Sequence, residues 1–292
     1  MRFRVTHRTT YGYRDTVLLS HNVAQLRPRE SRTQETERHE LVVSPQPSTR
    51  SGGVDYFGNH VTWFSVQEPH SELTITANSE VDVSLALRPD VSKGPSWEDV
   101  RDAIFNSPSP QLRLARQFTL DSPHIKRSPE LAEYALLSFP AGRPFLESVM
   151  DLTRRIHREF KFLPGSTKVG TPVSDVLQTR RGVCQDFAHL QISCLRSLGL
   201  AARYVSGYLV TTPAPGKPRL AGADVSHAWV GAFSPDFGWV DFDPTNGLMP
   251  SDGHITVAWA RDYDDVGPVR GILIGGRQQE MDVSVDVTPI EV

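Results

Sequence analysis

The chain has 292 residues, 38% hydrophobic and 22% charged, with a formal net charge of -3. That length can hold two modest domains or one domain with an appended sheet, and the composition is that of an ordinary soluble globular protein. The charge balance leaves no footprint for nucleic acid or an anionic membrane as partner, and the clusters Arg154-Arg155 and Arg180-Arg181 read as solvated surface.

The opening Met1-Arg2-Phe3-Arg4-Val5-Thr6-His7 has no apolar leader, and no run approaches membrane-spanning length. Cys184 and Cys194 are the two cysteines. On one helix they would stand about 15 Å apart at a rise of about 1.5 Å per residue, too far to bridge. Free thiols and no leader point to the cytoplasm.

Residues 1–90 alternate as antiparallel β structure. The clearest strands are Phe3-Arg4-Val5-Thr6, Leu41-Val42-Val43, His60 to Val66, Leu73-Thr74-Ile75-Thr76 and Val81-Asp82-Val83. Gly58-Asn59 turns Asp55-Tyr56-Phe57 into the strand at His60. His7, His21, His39 and His60 lack ligand spacing and read as structural.

From about residue 91 the period becomes helical, which makes residues 91–292 a second unit with C-terminal strands. Ser128-Pro129-Glu130 caps a helix. The longest helix runs from Pro144 to Phe160, with Phe145, Val149, Leu152, Ile156 and Phe160 on one face. A short helix near Val173 to Leu177 leads to Arg181-Gly182-Val183-Cys184. Gly182 is expected to supply an unusual backbone angle before the turn. From Val183 a further helix begins, with Phe187, Leu190 or Gln191, Cys194, Leu195 and Leu198 facing inward and Gly199 as its stop.

Cys184 therefore falls in a first helical turn, where unpaired backbone N–H groups and the helix dipole favour a thiolate. Cys194, among leucines, reads as a small core residue. After a strand at Ala202 to Val210, residues 211–224 form a loop that is either a lid or a spacer. Ser226 to Phe233 and Gly238 to Asp243 then read as a hairpin around Ser234-Pro235-Asp236. Pairing Phe233 with Phe237 would put His227 directly opposite Asp243, within reach of a hydrogen bond. A slip of one residue would separate them, and Asp241 shares the face of Asp243 as its substitute. Asp243 is preferred because Pro244-Thr245-Asn246-Gly247 ends the strand there.

A first-turn cysteine, a strand histidine and an aspartate form the set needed for nucleophilic attack on an amide carbonyl. Cys184 attacks, His227 shares its proton and passes it to the leaving amine, and Asp243 orients the imidazole. The Cys184 N–H is one oxyanion donor. The chain has no CxxC, HExxH or EF-hand pattern, so neither metal nor cofactor is expected.

Gly182 to His189, Ser226 to Val230 and Gly238 to Asn246 together resemble the core of the transglutaminase-like superfamily, in its bacterial branch of candidate cysteine proteases. His7-Arg8-Thr9-Thr10-Tyr11 and Leu26-Arg27-Pro28-Arg29 resemble that branch's β-rich N-terminal region, and His254 to Val266 its segment after the core. The resemblance implies an α+β fold, with a papain-like core of helices on an antiparallel sheet and an N-terminal all-β domain. It implies Cys184, His227 and Asp243 as catalytic residues, acting through a thioester on a peptide or protein amide. Asp186 and His189 belong to the motif, and both read as structural. Animal relatives cross-link glutamine to lysine with calcium, and they use an upstream indole near the oxyanion. Here the stretch before Cys184 offers Phe160 and Phe162 and no acidic calcium loop, which favours hydrolysis over acyl transfer. A non-catalytic binding module is the remaining alternative.

Overall fold

The computed structural model describes residues 1–84, 88–210 and 225–290. The expected loop at 211–224 lies outside the described residues. The α+β reading holds.

Five strands open the chain: β1 (Arg2–Ala24), β2 (Gln34–Ser44), β3 (Thr49–Val54), β4 (His60–Val66) and β5 (His70–Val83). β1 is far longer than its first four residues suggested. Its even alternation places Phe3, Val5, His7, Thr9, Tyr11 and Tyr13 on a buried face. The hairpin into His60 exists, but its first strand lies earlier, at β3. Asp55 is in the turn, accepting from the N–H groups of Phe57 and Asn59 at 2.8 Å each. Its carboxylate competes with ladder pairing at that position.

Helices α1 (Trp97–Asn106), α2 (Pro110–Arg116), α3 (Pro129–Leu136) and α4 (Phe145–Glu159) follow. Ser128 caps α3 through a bond from the Leu131 N–H, as its sequence foretold. α4 buries Phe145, Val149, Leu152 and Ile156, each contributing about 1.5–3 kcal/mol of transfer free energy. The parallel pair β6 (Lys161–Phe162) and β7 (Arg181–Gly182), flanking α5 (Val173–Thr179), ties the end of α4 to the start of α6 (Cys184–Ser197). Strands β8 (Ala202–Leu209), β9 (Val225–Ser234), β10 (Gly238–Phe242) and β11 (His254–Ala260) form a sheet in the order β10-β9-β8-β11, against which α6 packs.

After a single helical turn, α7 (Tyr263–Val266), the C-terminal strands β12 (Val269–Gly275) and β13 (Gln279–Pro289) hydrogen-bond to β1. The first sheet therefore draws on both ends of the chain. Val5 pairs with Val287 and His7 with Val285, so the two ends bury one shared apolar face.

Two amides fix this sheet to the edge strand β11. Gln34 bonds both the N–H and C=O of Thr256, at 2.8 and 2.7 Å, and Asn59 does the same for Trp259 at 3.0 Å each. Backbone groups that an edge strand would leave open are thereby satisfied. Phe3, Val5, Val285 and Val287 share one core cluster with the α4 and α6 side chains. Among the described residues no helix is long and apolar enough to cross a membrane.

Candidate active site

Cys184 is the first residue of α6, with Val183 as N-cap. Asp186, in the same first turn, reaches back to accept from the Val183 N–H at 2.7 Å and from Thr167 Oγ1 at 2.6 Å. This caps the helix at the residue before Cys184. Gly182 is needed for a reason other than the expected one. It has no positive φ, and the left-handed residue is Arg180 (φ 54°), which ends α5. A Cβ on Gly182 would lie 2.8 Å from Asp186 Cβ, so the glycine makes room for the cap. Cys184 is partly exposed and Cys194 is sealed in the core, where burial pushes its thiol up to about 12.

The β9–β10 hairpin sits two residues out of the expected register. Gly238 pairs with Ser234 and Phe242 with Val230, so Asp243, just past β10, is diagonal to His227 instead of opposite. A shift of two residues preserves the face of every side chain, whereas a shift of one would have reversed it. A diagonal pair is still within reach. His227 Nε2 lies 2.7 Å from Asp243 Oδ2, and both side chains are buried.

Cys184 and His227 line the same cleft, and with Nε2 committed to Asp243 the ring nitrogen left to serve the thiol is Nδ1. Burial depresses His227, but the hydrogen bonds to Asp243 and Cys184, with their charges, outweigh it and raise the imidazole to about 9. Burial likewise opposes ionisation of Asp243, yet bonds from His227, His254 and Asn246 hold it well below the usual carboxylate range. Asp243 Oδ1 takes the N–H groups of Thr245 and Asn246 at 2.9 and 3.1 Å. Oδ2 takes Asn246 Nδ2 at 2.7 Å and His254 Nε2 at 3.1 Å.

Sequence reasoning missed His254 and Asn246. The turn residues after Asp243 were a signal for Asn246, because an aspartate opening such a turn bonds backbone two and three residues on. A lone histidine at the head of an apolar strand carried no comparable signal. Asp241 is engaged elsewhere, accepting from Trp229 Nε1 at 3.0 Å beside the buried Arg203. His189 stacks on His124 and accepts from the Tyr263 N–H at 3.3 Å. Burial lowers it to about 3, so it is neutral, and its contacts anchor the start of α7.

His227, Asp243 and His254 place ligand-type atoms within 4.8 Å of one another, although no metal-binding motif links them in sequence. Here those atoms are held together by hydrogen bonds to the Asp243 carboxylate.

Cys184 and His227 open onto a cleft of about 220 Å³. One wall is the β8–β9 side, with Tyr204, Ser206 and Ser226, and the facing wall is the first sheet, with Thr9 and Tyr11 of β1 and Met281 and Val283 of β13. None of the five tryptophans lines it. Trp97, the nearest one upstream of Cys184, gives its Nε1 to the Pro140 carbonyl at 3.1 Å.

Residues 3–82 match the family profile described as bacterial transglutaminase-like N-terminal region, and residues 139–244 match that of the transglutaminase-like superfamily. An uncharacterized protein of Mycobacterium tuberculosis is 45% identical over 99% of this chain and 93% of its own length. A protein-glutamine gamma-glutamyltransferase of Pseudomonas aeruginosa is 34% identical over 34% of this chain and 15% of its own. A crystal structure from Cytophaga hutchinsonii, named as a candidate cysteine protease, superposes with a TM-score of 0.76 at 20% identity. The overlay covers 100% of this chain and 92% of that one, and it shows a shared fold.

Proposed function

The chain belongs to the transglutaminase-like superfamily, and on that basis we propose that it is a cysteine-dependent amide or peptide hydrolase with Cys184 as nucleophile, His227 as acid and base, and Asp243 as the orienting carboxylate. The observation that carries this reading is the imidazole of His227. It is pinned to Asp243 at 2.7 Å, shares a cleft with Cys184 and is raised to about 9, so it holds a proton at neutral pH.

In the proposed reaction the Cys184 sulfur adds to the amide carbonyl carbon, and the carbonyl oxygen takes the negative charge beside the Cys184 N–H, which has no partner within the helix. As the C–N bond breaks, His227 gives its proton to the departing amine, leaving a thioester. Water then attacks the thioester carbonyl and loses a proton to His227. The acid departs, and the proton returns to the cysteine–histidine pair. Asp243 keeps Nδ1 of the ring aimed at the sulfur and offsets the positive charge.

A second reading, in which an amine replaces water, is favoured by the name of the Pseudomonas relative, a protein-glutamine gamma-glutamyltransferase. The absence of a tryptophan from the cleft favours water. A glutamine-containing peptide library incubated with a labelled primary amine separates the two, since hydrolysis releases free acid and leaves the label unincorporated. Loss of both products in Cys184→Ala is expected. Retention of either would overturn the nucleophile assignment.

A further inference from the structure

The face of β1 that begins in the core does not end there. Phe3 and Val5 are buried against the helices with Val287 and Val285. Further along the same face Thr9 pairs with Val283 and Tyr11 with Met281, and these four side chains emerge opposite Cys184. His7 marks the boundary, its ring nitrogens 3.0 Å from Tyr208 Oη and 3.1 Å from Thr9 Oγ1. Burial lowers it to about 4, so it carries no charge at neutral pH.

Apart from the Cys184–His227 pair itself, no Asp, Glu, Lys or Arg lines the cleft among the described residues. What the β1–β13 wall offers is hydroxyls from Thr9 and Tyr11 and apolar surface from Met281 and Val283, and across from it Ser206 and Ser226 add two more hydroxyls. A charged group entering such a space gives up part of its hydration and finds no Asp, Glu, Lys or Arg among the described lining residues to replace it, a loss that discriminates between otherwise similar ligands.

We infer that the β1–β13 face is the acyl-binding wall of the active site, selecting substrates whose acyl portion is uncharged, with Met281 at its rim as a specificity-determining residue. This rests on the hydrolase reading above, because it assumes that the acyl carbonyl is delivered to Cys184. The two ends of the chain thus build half of the site, although they carry none of the reacting groups.

The test uses three 4-nitrophenyl esters of equal chain length: the hexanoate, the hydrogen adipate with its terminal carboxylate, and the 6-trimethylammoniohexanoate with its terminal cation. Nitrophenolate release is measured for wild type, Met281→Lys, Met281→Glu and the control pair Ile272→Lys and Ile272→Glu. Met281 is 62% exposed and Ile272, on β12 outside the cleft, is 73% exposed, so both positions accept a charge without refolding.

In wild type the hexanoate is expected to exceed both charged esters in kcat/KM by about tenfold or more. Met281→Lys should cut the hexanoate-to-adipate ratio at least about fivefold, and Met281→Glu should do the same for the cationic ester, with neither Ile272 variant moving either ratio. Equal wild-type rates on all three esters, or Met281 variants indistinguishable from the Ile272 controls, would overturn the assignment of the wall while leaving Cys184 chemistry standing. Ester turnover unchanged in Cys184→Ala would overturn the hydrolase reading and this inference with it.

Discussion

His227 and His254 meet on a single oxygen, Asp243 Oδ2, at 2.7 and 3.1 Å. The Ser251 N–H points at His254 Nδ1 from 3.3 Å, which leaves the ring proton on Nε2 and makes His254 a donor to the carboxylate. His254 thus fixes the rotamer of Asp243 as Asp243 fixes that of His227. His254→Ala is expected to slow iodoacetamide alkylation of Cys184 about tenfold and to destabilise the fold by about 1–3 kcal/mol. Wild-type alkylation in that variant would make His254 a packing residue only.

The two thiols should separate cleanly. Peptide mapping after limited iodoacetamide treatment near neutral pH should find the adduct on the partly exposed Cys184 and none on Cys194, which is buried with its thiol at about 12. Cys184→Ala should abolish turnover at unchanged thermal stability. Cys194→Ala should keep turnover and lose about 1 kcal/mol of stability to the cavity it leaves.

Asp241 and Asp243 stand two residues apart and should behave oppositely. Asp243→Asn is expected to lower turnover by about a hundredfold or more, because the imidazole loses its fixed tautomer. Asp241→Ala should leave turnover within about threefold. It should cost about 1–3 kcal/mol in a denaturant titration, since Trp229 Nε1 loses its acceptor and the buried Arg203 loses its nearby carboxylate. Equal activity losses in the two variants would count against the assignment of Asp243.

The pH dependence has a definite sign. His227 sits at about 9 in the folded chain, above the ordinary 6.5, so the folded state holds a proton that the unfolded state has released. The stability this contributes is complete below about pH 6.5 and is lost as pH rises through about 9. Turnover should fall over the same alkaline range as the proton for the leaving amine disappears. Denaturant midpoints should decline from pH 6.5 to 9 in wild type and less steeply in His227→Gln. His7 and His189 act in the opposite direction. Burial holds them at about 4 and about 3, so their contribution is present above pH 6.5 and lost as pH falls toward those values. His189→Gln should flatten the acid side of the curve.

Gly182→Ala tests the helix cap. Its new Cβ would approach Asp186 Cβ to 2.8 Å and push the first turn of α6 aside. Alkylation of Cys184 should slow by about tenfold at a modest loss of melting temperature. An unchanged rate would show that the Asp186 cap does not aim the thiol.

Much of this protein is legible as local chemistry. The Ser128 cap, the apolar face of α4, the start of α6 at Cys184 and the alternation of apolar and polar residues in β13 depend on side chains within a few residues of one another, and helical and strand periods report them directly. The face shared by His227 and Asp243 was also decided locally, since parity along a strand survives a register error of two. Three features depended on contacts between residues distant in the chain. They are the docking of Gln34 and Asn59 onto β11, the return of β12 and β13 to β1, and the arrival of His254 at Asp243. No periodicity encodes which distant edge a strand will join, because that choice is made by the burial and hydrogen bonding of the folded whole. The proposed reacting groups can therefore be read from three short motifs, while the wall that faces them exists only after the two ends of the chain have met.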